Sequence, residues 1–139
     1  MSQGAGTPVD SPGVHSLGVR VYYEDTDAAG LVYYANYLRF AERGRTEMLR
    51  GLGFGHRALR AQLGIIFTVR RCTVDYLAAA RLDDWLTVET RVAAIGSATL
   101  SLDQRIRCDA EILAALDVLV ASIGEAGRRG GFPPLCAPR

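Results

Sequence analysis

The chain has 139 residues, enough for one domain with a single core, and 49% of them are hydrophobic, as in a globular protein rather than a disordered one. A formal net charge of +1 gives no electrostatic basis for binding nucleic acid or an anionic membrane surface. All 16 basic residues are arginine, so lysine Schiff-base chemistry, a P-loop lysine and a Ser–Lys dyad are excluded.

Residues 1–17, MSQGAGTPVDSPGVHSL, have neither the basic start nor the apolar run of a secretory signal. Their Gly/Ser/Pro content reads as a disordered tail. Val19 to Tyr23 alternates and is β-rich, so a first strand is expected there. The loop that follows places Glu24, Asp25 and Asp27 within four positions, with no histidine nearby.

From Asn36 to Leu52 the period changes. Tyr37, Ala41, Gly44, Met48 and Leu52 recur at helical spacing, with Asn36 as the expected N-cap and Gly51 and Gly53 as the stop. Arg39, Glu42, Arg43, Glu47 and Arg50 fall mostly on other faces, where they pair three or four apart. Gly44 inside a helix costs about 1 kcal/mol relative to alanine, and close contact with a sheet is the expected compensation. A short helix over His56 to Gln62 comes next.

Four strands are then expected. Ile65 to Tyr76 is rich in β-branched and aromatic residues. Trp85 to Ile95 alternates, with Leu86, Val88 and Val92 opposing Thr87, Glu89 and Arg91. Ser97 to Arg107 sets Leu100, Leu102 and Ile106 against Thr99, Ser101, Asp103, Arg105 and Arg107. Glu111 to Ile123 is more continuously apolar, as in a strand buried on both faces, with a leucine-rich helix as the competing reading. This last run is broken by Asp117 and is too short to cross a bilayer, so membrane insertion is not expected. Residues 125–139 are an irregular Gly/Pro/Arg-rich segment, leaving 18–124 as the domain.

Cys72, Cys108 and Cys136 are odd in number and lack a CxxC pair, which points to reduced cytoplasmic thiols and away from a disulfide framework or structural zinc. With His15 and His56 far apart, no metal site is expected. One helix on one antiparallel sheet is an α+β arrangement, and it leaves a sheet edge or face to cover by self-association.

The run VRVYYEDTDAAGLVYYANYLRFAERGRTEMLRGLG resembles the opening of a hotdog-fold acyl-CoA thioesterase. The match is to the YbgC branch, associated with the Tol-Pal system, within the 4-hydroxybenzoyl-CoA thioesterase family. It rests on Tyr23, Asp25-Thr26-Asp27, Gly30, Leu31-Val32, Asn36-Tyr37 and Arg45-Thr46-Glu47, with fainter agreement over Val69 to Thr90 and Ser101 to Ile106. The resemblance implies a long central helix wrapped by a curved five-stranded antiparallel sheet. It also implies a homodimer or homotetramer with sites at subunit interfaces, and hydrolysis of acyl-CoA without metal or other cofactor.

Carried over, the catalytic carboxylate is Asp27, with Asp25 and Glu24 as weaker candidates. The spacing alone favours a solvated acidic loop, and Asp25 reads equally as a residue that caps or orients the turn. Gly30, Val32, Tyr33, Tyr34, Asn36 and Tyr37 are the expected substrate-binding residues. The N–H groups at the helix start would form the oxyanion hole. Many YbgC-type sequences carry histidine where this chain has Tyr34, a departure that bears on acyl preference; packing at an interface is its other reading. Arg70, Arg71 and Arg105, with Arg107, are the candidate contacts for the coenzyme A phosphates; a solvated strand face is the alternative for each. The competing function is a non-catalytic hotdog subunit that binds acyl groups or acyl carrier protein.

Overall fold

The computed structural model describes residues 7–8, 13–53, 55, 57 and 64–124. In chain order these form β1 (Thr7–Pro8), β2 (His15–Arg20), α1 (Tyr34–Gly51), β3 (Ile65–Tyr76), β4 (Trp85–Ile95), β5 (Thr99–Cys108) and β6 (Glu111–Gly124). The strands make one antiparallel sheet in the order β1-β4-β5-β6-β3. β1 and β2 share the outer side of β4, pairing Thr7 with Ile95 and His15 with Thr90. The sheet therefore has five strand positions, with α1 packed against β2, β4 and β5. This is the expected hotdog arrangement of one long helix on a five-position antiparallel sheet.

The sequence reading changes most at the N-terminal side. Thr7–Pro8 forms β1 inside the expected disordered tail, and the strand expected at Val19 to Tyr23 is β2, which begins at His15 and ends at Arg20, so Tyr22 and Tyr23 leave the sheet. HSLG has little β propensity of its own; pairing with β4 from His15 to Arg20 overrides it. α1 begins at Tyr34 with Tyr33 as N-cap, not at Asn36. The short helix expected over His56 to Gln62 lies outside the described residues except for Arg57, as does the segment 125–139.

The core follows from alternation. Leu86 and Val88 of β4 and Leu100, Leu102 and Ile106 of β5 are buried beside Phe40, Ala41, Met48 and Leu49 of α1. β6 is a strand, not a helix. It lies between β5 and β3, and Val118 to Ser122 are buried at every position, which explains why that stretch does not alternate. Gly44 meets the sheet directly: a Cβ there would lie 2.6 Å from Val88 Cγ1 and 3.0 Å from Thr90 Oγ1.

A buried polar node ties helix to sheet. Gln104 is fully buried; its Nε2 donates to the Ala41 carbonyl and to Thr90 Oγ1, both at 2.9 Å. Its Oε1 accepts from Arg45 Nη1 at 3.0 Å. Burial lowers the pKa of the Arg45 guanidinium from its usual value. Replacing Gln104 with leucine strands the Arg45 donor and the Thr90 hydroxyl, and the expected loss is about 2 to 3 kcal/mol. Urea unfolding should show this as a lower midpoint with an unchanged m-value.

Candidate active site

β2 delivers the chain to the acidic loop. Val21 is fully buried, and its N–H donates to the Asp84 carbonyl at 2.9 Å. One 3-10 turn, Tyr23–Asp25, reverses the direction, and an isolated bridge pairs Thr26 with Val32. The tip between them is a tight turn. Asp27 N–H donates to the Leu31 carbonyl at 2.8 Å and Gly30 N–H to the Asp27 carbonyl at 3.0 Å. Gly30 has φ +79 with open space where a Cβ would point, so backbone conformation is what asks for glycine.

The two carboxylates of the D-x-D have opposite environments. Asp27 is exposed; its Oδ1 accepts from Ala29 N–H at 2.9 Å and Leu31 N–H at 3.2 Å. No described residue donates to Oδ2. Asp25 is only 6% exposed and has a donor on each oxygen: Oδ2 accepts from Tyr22 N–H and Oδ1 from Asn36 Nδ2, each at 2.8 Å. Glu24 is exposed.

α1 starts immediately beyond the turn. Its N-cap, Tyr33, has extended backbone and makes no side-chain capping bond, and no acidic residue occupies the first turn. The helix start thus has no side-chain cap; Asn36 N–H donates to the Tyr33 carbonyl at 2.8 Å, and the Asp25 carboxylate reaches the first turn through Asn36 Nδ2 rather than a backbone N–H. Tyr33 N–H donates to the Asp25 carbonyl at 3.0 Å, which fastens the acidic loop to the helix entrance.

The expected substrate-binding residues divide into two groups. Gly30 is half-buried, and Tyr33 and Tyr34 lie at the open surface, 48% and 60% exposed with ring centroids 4.8 Å apart. Hydrogen bonding with Tyr34 raises the Tyr33 phenol above its ordinary pKa. Val32, Asn36 and Tyr37 are buried. Val32 N–H donates to the Ala80 carbonyl at 2.9 Å, and Tyr37 Oη accepts from Ala80 N–H at 2.8 Å. Asn36 is neither a cap nor at the surface; it serves Asp25. Burial is the main cause of the raised pKa of Tyr37.

A residue that sequence reasoning missed stands beside them. Tyr76, at the end of β3, sits edge-on to Tyr34 at 6.0 Å and contacts Tyr37 at 5.7 Å between centroids. Nothing local in the sequence marks it, because the pairing of β3 with β6 is what carries it to the helix entrance.

The arginines are not gathered at the Asp27 turn within this chain. Arg70 sits at a β-bulge between Val69 and Arg71. Arg71 lies five residues along β3 from Tyr76, roughly 16 Å. Arg105 and Arg107 belong to a ladder of ion pairs on β4 and β5: Arg91–Asp103 at 2.8 Å, Arg105–Asp103 at 3.8 Å and Arg107–Glu89 at 3.0 Å. By strand alternation with Leu102 and Gln104, Asp103 and Arg105 face away from α1.

An exposed carboxylate at a glycine turn, beside the uncapped start of the long helix of a hotdog sheet, is an arrangement suited to acyl transfer. Residues 29–115 match the family model of the Thioesterase superfamily, and the chain belongs to that superfamily as a thioester hydrolase. It is 46% identical over 124 residues to "Acyl-CoA thioesterase YbgC" of Haemophilus influenzae, covering 89% of this chain and 88% of that protein. To "Acyl-CoA thioester hydrolase YbgC" of Escherichia coli O6:H1 it is 47% identical, covering 76% and 78%. Among solved structures, a probable thioesterase from Bartonella henselae superposes with a TM-score of 0.84 at 35% identity, covering 87% of this chain and 100% of that one. Among the described residues, no helix is long and apolar enough to cross a membrane.

Proposed function

We propose that this chain hydrolyses acyl-CoA thioesters, with Asp27 as the reacting carboxylate and the first turn of α1 as the oxyanion hole. The observation that carries this reading is the asymmetry of the Asp27 carboxylate: Oδ1 is held by two backbone N–H groups, while Oδ2 has no donor among the described residues. Its relatives named as acyl-CoA thioesterases support the substrate class.

In the general-base form, Oδ2 takes a proton from water as the water oxygen bonds to the thioester carbon. The carbonyl oxygen becomes an oxyanion and is met by the N–H groups at the helix start. The C–S bond then breaks, and the thiolate of coenzyme A recovers the proton from the Asp27 carboxyl. In the nucleophilic form Oδ2 itself bonds to the carbon, the C–S bond breaks to release the coenzyme A thiolate, and water then cleaves the resulting anhydride, giving the free acid, restoring the Asp27 carboxylate and passing a proton to the thiolate. Both forms use protein groups alone.

The unit we propose is a homodimer, or a pair of dimers. β3 is a 12-residue strand that, among the described residues, pairs with β6 on one side only, and Val69, Cys72 and Tyr76 on it are exposed. A second copy along that edge would cover them. Arg70 and Arg71, at the middle of the same strand, are the proposed contacts for the phosphates of coenzyme A. The test is free-thiol release from a panel of short, aromatic and long acyl-CoAs and acyl-carrier thioesters. Turnover on at least one is expected; none on any would favour the non-catalytic acyl-binding subunit.

A further inference from the structure

We infer that Asp25 and Asn36 form a positioning clamp: the first carboxylate of the D-x-D sets the rate by holding the second in register with the helix start, without touching substrate. The inference rests on the reading of Asp27 as the reacting group and extends it to two buried residues.

Three bonds converge on Asp25, one from each neighbouring part of the site. Oδ2 takes the N–H of Tyr22, two residues beyond the end of β2. Its carbonyl takes the N–H of Tyr33, the N-cap of α1. Oδ1 takes Nδ2 of Asn36, in the first turn of the helix. Asp27 follows two residues later, and the N–H groups of the first helical turn follow Tyr33 directly. The separation between Asp27 Oδ2 and those N–H groups is thus set by chain segments that both hang from Asp25.

The choice of residue types supports a positioning role. Asp25 and Asn36 are 6% and 7% exposed, and the hydrogen bonds to the Asp25 carboxylate come from neutral donors. Burying a charge on neutral donors is destabilising unless the donors are held in place. An aspartate nonetheless fits here better than an asparagine, because two donors point at it and only a carboxylate offers two acceptor oxygens. An amide in its place must turn its NH2 against another donor. The pair is therefore directional: acceptor at 25, donor at 36.

Displacing a reacting group by about 1 Å is enough to cost about 100-fold in rate. The test is steady-state kinetics on the acyl-CoA that the wild type turns over fastest, at a temperature where circular dichroism shows every variant folded. D25N should lower kcat about 100-fold while KM stays within about threefold. The double swap D25N/N36D rebuilds the clamp with its polarity reversed: the introduced amide oxygen accepts from Tyr22, and its NH2 donates to the introduced carboxylate. It should recover at least about tenfold of the lost kcat. Asn36→Ala cuts only the helix arm and serves if D25N does not fold; it too should lower kcat with KM little changed.

A merely structural pair would lower the melting temperature and leave the kcat of folded enzyme unchanged, and that result overturns the clamp. A folded double swap without recovery overturns it as well. Asp27→Asn run in parallel separates the two readings. Wild-type turnover in that variant defeats the assignment of Asp27, whereas an inactive Asp27→Asn beside a fully active D25N defeats the clamp alone.

Discussion

Asp27→Asn lowers kcat for acyl-CoA hydrolysis by about 1,000-fold or more, the upper part of the range for loss of a general base. The substitution isolates chemistry from architecture. The amide oxygen of the new side chain can still accept the N–H groups of Ala29 and Leu31, which are the bonds that hold Oδ1 in place. Gly30 keeps its φ of +79, and the Thr26–Val32 bridge is untouched. What changes is the exposed second atom: an NH2 cannot take a proton from water or bond to a thioester carbon. Melting temperature should move by no more than about 2 °C, since an exposed isosteric change away from the core is nearly neutral. Thiol release and a thermal melt on the same sample check both halves. Turnover within about tenfold of wild type would refute the assignment.

Gly44→Val is the largest expected loss of stability. Helix propensity favours removing a glycine from a helix interior, by up to about 1 kcal/mol. The packing opposes it more strongly. The first added carbon would lie 2.6 Å from Val88 Cγ1, 3.0 Å from Thr90 Oγ1 and 3.3 Å from Gln104 Nε2. Val88 and Thr90 are fully buried and β-branched, so neither side chain swings aside. The third neighbour belongs to the Gln104 node, and displacing it loosens the bonds to Ala41 and Arg45. α1 must lift from the sheet, and overpacking of this kind costs about 3 kcal/mol. Gly44→Ala should fall between valine and wild type. Equal melting temperatures for glycine, alanine and valine would show that the helix is not pressed against β4 and β5 as described.

The strands and helix were legible where burial is one-sided. Alternation of Leu86 and Val88 with Thr87 and Glu89 marks β4, and the spacing of Tyr37, Ala41, Gly44 and Met48 marks α1. Boundaries failed where long-range contacts overrule local preference. HSLGVR extends because β4 lies beside it, and Tyr22–Tyr23, β-prone by type, leave the sheet because Asp25 closes a turn over them. Asn36 has the right chemistry for a cap, but its amide is spent on Asp25. The distinction between Asp25 and Asp27 was beyond spacing alone, since two carboxylates two residues apart look alike until their donors are seen. The family resemblance pointed to Asp27, and the geometry supplies a physical reason for the difference. Tyr76 was invisible because its partners are about 40 residues earlier in the chain.

The two margins of the sheet are unequal. Among the described residues, two short pieces lie beyond β4, Thr7–Pro8 and His15–Arg20, and proline brings no N–H to that rim. On the far side β3 presents 12 residues without interruption by proline or glycine. A sheet that is sticky on both margins has a valence of two and propagates as a filament. The homodimer proposed above would use the β3 margin alone, and an isologous pairing there closes on itself without leaving that margin free.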